Sequence, residues 1–420
     1  MIGFIRKQWL ACVFAGVGVW TMVYLGLYGF AWTDYDFEVT PAYDALAGGH
    51  LWRFFQLAPV YGGSLELRAP FALLPALWGG GEQARFEVVS LPCLIAAAVL
   101  GLWLFSRMRE AGASPLARWT TLGLCAANPI TVYACEIGHA EELLGGVLCV
   151  AAVLAAERRR PVWAGLLLGL AIVNKDWALL AVGPVLLALP SGRRQALAIA
   201  GTLAAVFYAP LIVAQLPSDA SSASGAASAV GAAAGTIFQP WQFWWFLGAA
   251  GHVVRDPSGV VLVGYRVPPG WIAAIAHPLI VAISLPLTLL AARRGRLGGR
   301  GADALLVLVA LLLLRCALDP WDNGYYPLPF IVALIAWESL RLRRPPLYGL
   351  LATVATWGIF QELPSHISAD AGSALFDVLC LPAIALLLRA IYRPSAGTAA
   401  RRGAVARQRL APSISLQPSD

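Results

Sequence analysis

The chain has 420 residues, of which 59% are hydrophobic and only 13% charged, where a soluble chain carries about 25% charged residues. That shortfall, with apolar runs of spanning length recurring from end to end, excludes a soluble globular enzyme. The formal charge of +7 does not indicate nucleic-acid binding, because the arginines fall in short clusters between apolar runs rather than along one face.

The first apolar run, 8–32, follows Arg6 and Lys7 and lacks a small-residue cleavage site. It is longer than a signal-peptide core, so it reads as a retained span. It delivers 33–85 to the outside as a first outer loop. Within that loop 71–78 is apolar, but a full crossing there would put Arg107, Arg109 and Arg118 outside. A helix lying along the outer surface is therefore expected. Run 86–105 returns, 116–133 leaves and 141–156 returns, followed by two short Gly-rich helices, 162–173 and 177–189.

Run 195–216 exits into a long outer segment, 217–270. It holds an Ala/Ser/Gly stretch at 220–235 and then Trp241, Phe243, Trp244, Trp245 and Phe246, a composition suited to the headgroup layer. Runs 271–292, 304–318, 326–340, 347–360 and 373–391 complete the pattern. The expectation is an all-α, multi-pass plasma-membrane protein with about 12 transmembrane helices in one domain, 1–392. Arginine clusters at 107–118, 158–160, 193–194, 293–300 and 341–344 mark cytoplasmic turns, placing both termini inside. The Arg-, Ala-, Ser- and Pro-rich tail, 393–420, is expected to be disordered and cytoplasmic. The seven cysteines show no metal-ligand spacing.

With this threading the outer face is acidic, and its polar residues group into constellations. W-T-D-Y-D-F-E follows the first span, with Asp34 and Asp36 at the boundary of hydrocarbon and water. Such carboxylates can serve as a general base toward a hydroxyl, or simply mark a helix end in water. In N-P-I-T-V-Y-A-C-E-I-G-H-A-E-E-L-L, Pro129 can bend a helix and Gly138 end it. Glu141 and Glu142 then complement the next helix dipole, which leaves His139 less well explained.

Asn174, Lys175 and Asp176 lie between the two short helices. An ammonium at a helix break near the bilayer needs an anion: Asp176, another acid, or a phosphate. In R-C-A-L-D-P-W-D-N-G-Y-Y-P, Arg315 and Asp319 sit at ion-pair spacing. Beyond them Trp321, Asp322, Asn323, Tyr325 and Tyr326 mix aromatic faces with amide and carboxylate groups, as sugar sites do; an aromatic belt at a helix break is the alternative. Gln361, Glu362 and His366 form a weaker group. No phosphate-binding glycine loop or His-Glu metal motif occurs.

In this order, the acid after the first span, A-Y-D-A-L-A-G-G-H, P-V-Y-G-G-S-L-E-L-R-A-P-F-A-L-L-P, N-P-I with G-H-A-E-E, and A-G-L-L-L-G-L-A-I-V-N-K-D-W-A-L resemble the GT-C membrane glycosyltransferases, particularly the family 87 mannosyltransferase-like proteins of actinobacteria. The resemblance implies a polyprenyl-phosphate sugar donor, mannose or another hexose or pentose, and inverting transfer to an envelope lipid or glycan at the outer face. It makes Asp34 or Asp36 the base and Lys175 a contact to the donor phosphate. Arg68, Arg255 or Arg266 could also supply that charge. No metal is implied, although the acidic loop has the ligand type for a divalent ion. Where relatives have Tyr-Pro-Pro, this chain has Tyr61, Gly62 and Gly63. The rival readings are a transporter or flippase of lipid-linked sugar, with ionisable groups near the midplane, and a non-catalytic envelope-assembly protein.

Overall fold

The computed structural model describes residues 8–28, 34–59, 61–215, 239–250, 254–255, 261–262, 266–298 and 303–392. The 220–235 stretch, the 393–420 tail and the end of the first apolar run lie outside the described residues. The described chain is almost wholly helical, with four two-residue strands in two antiparallel pairs as the exception.

Helix α1, Trp9–Gly26, buries a stripe of small residues at Ala11, Ala15, Gly18 and Gly26. A Cβ on Gly18 would come within 2.9 Å of Ala126, and one on Gly26 within 2.8 Å of Cys135. This close backbone approach is the packing small residues permit between helices in a membrane. A π turn, Tyr35–Val39, then opens the first loop, followed by α2 (Thr40–Ala47), α3 (Leu51–Leu57) and α4 (Gly63–Leu73). The stretch 71–78, expected as a helix, is the end of α4 continued by a 3-10 segment, Leu74–Trp78.

Helix α5, Glu82–Glu110, is followed by α6 (Pro115–Ala126) and α7 (Pro129–Ile137). The run expected as one helix at 116–133 is thus broken. Asn128 accepts a bond from the Ile130 N–H at 2.9 Å, and Pro129 occupies the first turn of a new helix. Gly138 ends α7 at φ 99, a conformation glycine adopts freely. Helix α8, Glu141–Glu157, α9, Pro161–Asn174, a 3-10 turn, Asp176–Ala181, and α10, Val182–Ala188, follow. The second short helix begins as 3-10 rather than α, directly after Lys175. Glycines 165 and 169 let α9 pack tightly on α11, Arg193–Gln215. The remainder is α12 (Gly270–Gly298), α13 (Ala304–Leu318), α14 (Leu328–Arg341), α15 (Leu347–Trp357) and α16 (Ala369–Tyr392).

Five helices among the described residues are long and apolar enough to cross a membrane: α1, α5, α11, α12 and α16. Three shorter apolar helices, Pro161–Asn174, Asp176–Ala188 and Ala304–Leu318, lie among them. The chain is a membrane protein. Helices α8, α13 and α14 are buried on nearly every face, whereas α11, α12 and α16 expose long apolar side chains. In hydrocarbon the second group faces lipid and the first forms the core.

Glu157 at the end of α8 pairs with Arg341 at the end of α14, and Arg341 with Asp303 before α13. Arg107, Arg158 and Arg160 lie near this end, as does Arg344. The opposite end gathers the acidic motifs.

Candidate functional site

Helix α8 begins with two adjacent glutamates, each 1% exposed. Buried carboxylates persist only where cations and donors meet them. Glu141 meets Arg68 of α4 at 3.2 Å, His139 Nδ1 at 2.7 Å and Lys175 Nζ at 3.1 Å. Glu142 meets Arg315 of α13 at 3.2 Å, the Trp177 Nε1–H at 3.1 Å and Lys175 at 3.7 Å. The glutamates do stand in the first turn, but capping a dipole is the lesser part of their role.

The sequence expectations are corrected at several of these partners. Arg315 does not take Asp319; it reaches across to Glu142 and lies 4.4 Å over the Tyr326 ring. Asp319 instead faces His277 at 3.4 Å. Of the anions the sequence left open for Lys175, the structure supplies other acids, Glu141 and Glu142, and Asp176 is exposed. Arg68 is 2% exposed and bound to Ser64 and Glu141.

His139 links this buried set to the first loop. Its Nε2 lies 3.1 Å from Asp34 Oδ2, and the Asp34 side chain is 39% exposed. Burial alone would lower the imidazole pKa, but the Glu141 charge and the hydrogen bonds to Asp34 and Glu141 outweigh it and hold it at about 9. The ring is therefore an imidazolium at neutral pH, with a carboxylate at each nitrogen. Asp36 lies on the exposed side of the π turn.

Tyr61 covers the cluster, and sequence reasoning did not single it out as a site residue. Its ring lies 3.6 Å from Lys175 Nζ, and its hydroxyl donates to Glu38. Burial, then the neighbouring charge of Asp34, push the Glu38 pKa up, with His139 opposing. The glycines after Tyr61 explain the placement. A Cβ on Gly63 would run into the Val173 carbonyl, and one on Gly62 would meet Ala58 at 2.9 Å. Only an unsubstituted backbone lets α4 dock on the end of α9 and lay Tyr61 over Lys175.

The Trp321–Tyr326 turn closes another side. Tyr325 stacks on His139 at 4.5 Å, the Tyr133 hydroxyl donates to Asn323 at 3.1 Å, and Trp321 meets His277 edge-on at 5.9 Å. Asp322 is wholly buried, and neither carboxylate oxygen has a hydrogen-bond partner of good geometry among the described residues. Burial, then the nearby Asp319 charge, push its pKa well above the usual carboxylate range. It does not face solvent as a sugar ligand would.

Glu362 bonds Trp357 locally. Arg266 pairs with Asp370, and Arg255 has only its backbone described. Among the described residues no group of three or more His, Cys, Asp or Glu side chains is placed to hold a metal ion. An open recess of about 590 Å³ lined by residues such as His50, Trp52 and Arg53 contains none of the clustered ionic groups. No protein family, curated protein or solved structure matches this chain.

Proposed function

We propose that this chain is a membrane glycosyltransferase of the GT-C kind, with about twelve crossings if its short and broken helices are counted. It passes a sugar from a polyprenyl-phosphate donor to a hydroxyl of an envelope lipid or glycan at the non-cytoplasmic face of the plasma membrane. One observation carries the reading. Asp34, the solvent-open carboxylate, is joined through His139 and Glu141 to Lys175, and this linkage supports reading the carboxylate as the base and the ammonium as the cation for the donor phosphate.

In an inverting transfer the acceptor oxygen attacks the sugar C1 as the bond from C1 to the donor phosphate breaks. The acceptor proton goes to Asp34, and the phosphate leaves with the electron pair. His139 fixes one Asp34 oxygen, which fits orientation of a base better than the exposed placement of Asp36. Lys175 stands under Tyr61, so the ring moves aside before a donor phosphate can reach the ammonium. A lipid phosphate needs such a cation more than it needs an acid.

Asp34→Asn and Asp36→Asn variants, expressed to wild-type level, test this with a labelled polyprenyl-phosphate sugar. Transfer should fall about 10²- to 10⁴-fold in the first and stay near wild type in the second. If neither variant loses transfer, the assignment fails. The transporter reading draws on buried Asp322, whose carboxylate has no hydrogen-bond partner of good geometry among the described residues. It predicts instead movement of the labelled lipid across vesicles with its glycosidic bond intact.

A further inference from the structure

Two non-glycine residues among those described have positive φ, Arg159 at 58 and Arg343 at 54. Each lies just beyond a helix end, of α8 and α14 respectively, and the Glu157–Arg341 pair holds those ends together. The Arg159 N–H bonds to the Ala156 carbonyl at 2.9 Å, and the Arg343 N–H to that of Glu338 at 3.2 Å. This is the helix-ending geometry in which glycine is the usual occupant. The chain follows that custom after α5 and α7, with Gly112 at φ 74 and Gly138 at φ 99. Side chains at 159 and 343 are therefore held against a local preference, and strain of this kind points to a use.

Nothing within the described residues accounts for them. Both side chains are exposed, and neither makes a hydrogen bond, ion pair or ring contact with another described residue; Arg160 is in the same position. The nearby acids are already engaged: Glu157 and Asp303 by Arg341, Glu110 by Arg107, Glu338 by Arg344. Membrane orientation needs only basic residues somewhere in a short loop and places no demand on a strained seat. Beside the arginines lie exposed apolar side chains, Val162 at 42%, Trp163 at 57% and Leu342 at 40%. Unpaired guanidinium groups at the rim of an apolar surface match one amphipathic chemistry, a phosphodiester joined to acyl chains.

We propose that the corner formed by Arg159, Arg160 and Arg343 binds the headgroup of an anionic phospholipid. The site is independent of the sugar-transfer reading, since it occupies the other end of α8.

The test uses the full chain in neutral detergent and reads the thermal midpoint with added phosphatidylglycerol, phosphatidylcholine or inorganic phosphate. Phosphatidylglycerol alone should raise the wild-type midpoint by several degrees. An Arg159→Gly, Arg343→Gly pair should raise the lipid-free midpoint by about 2 °C through relief of strain, yet lose more than half of the phosphatidylglycerol response. An Arg159→Asn, Arg343→Asn pair, which tolerates the same backbone without the charge, should lose the response equally. The proposal is overturned if either pair keeps the full lipid response, if the glycine pair lowers the lipid-free midpoint, or if inorganic phosphate reproduces the rise.

Discussion

The two ends of α8 carry the same kinds of residue in opposite conditions. At its start Glu141 and Glu142 are sealed among Arg68, Lys175, Arg315 and His139; about 25 Å away, by its length, Glu157 meets Arg341 in a partly solvated cluster. Charge pairs in water contribute little, because solvent already stabilises both partners. Buried pairs are different in kind: forming them gives back little over the cost of desolvation, but breaking one leaves a stranded charge. The sealed end is therefore fragile and specific, and the open end is tolerant.

The contrast can be broken most directly at Glu141. A Glu141→Gln variant keeps the volume but leaves three cations short of a carboxylate, and it should cost about 3–5 kcal/mol of unfolding free energy. Arg341→Gln at the open end should cost about 1 kcal/mol or less. Comparable losses in denaturant titrations would erase the distinction.

The next effect is expected from pH. The His139 pKa is about 9 in the fold against about 6.5 unfolded. A raised value in the fold means its contribution is complete below about 6.5 and is lost as pH rises through about 9. At about 1.36 kcal/mol per pH unit, the loss reaches at most about 3 kcal/mol by pH 10. Wild type should show this decline in unfolding midpoints between pH 7 and 10, and His139→Gln should not.

Asp322 sharpens the comparison with the smallest change. An acid buried without good partners is a burden rather than a prop, so Asp322→Asn should raise stability by about 1–2 kcal/mol. A marked loss of stability in that variant would mean Asp322 is paired after all.

Much of the helical framework was legible without coordinates. Run 304–318 matches its helix to the residue, and the breaks at Gly138 and Lys175 were visible from their residue types, whereas at Pro129 only a bend was expected and the helix is broken there. Asp34, His139, Glu141, Glu142 and Lys175 were identified as candidates from three motifs. Tyr61 and Glu38 were not recognised as members of the cluster, although Tyr61 stood out as the start of a departure from the resembling family. The clue in hindsight is the pair of glycines beside Tyr61, which signals close backbone approach but not what is approached.

The sequence by itself determined that this chain lives in a membrane, where it bends and breaks, and which ends of its helices are acidic or basic. Those properties follow from local composition and periodicity, which need no distant partner. Only the tertiary structure decided that Arg315 serves Glu142, 173 positions away, rather than the nearby Asp319, and that Asp322 is shut away while Asp34 stays open. Pairing and burial depend on how helices far apart in the chain are packed together, and helical spacing within one segment carries no record of that.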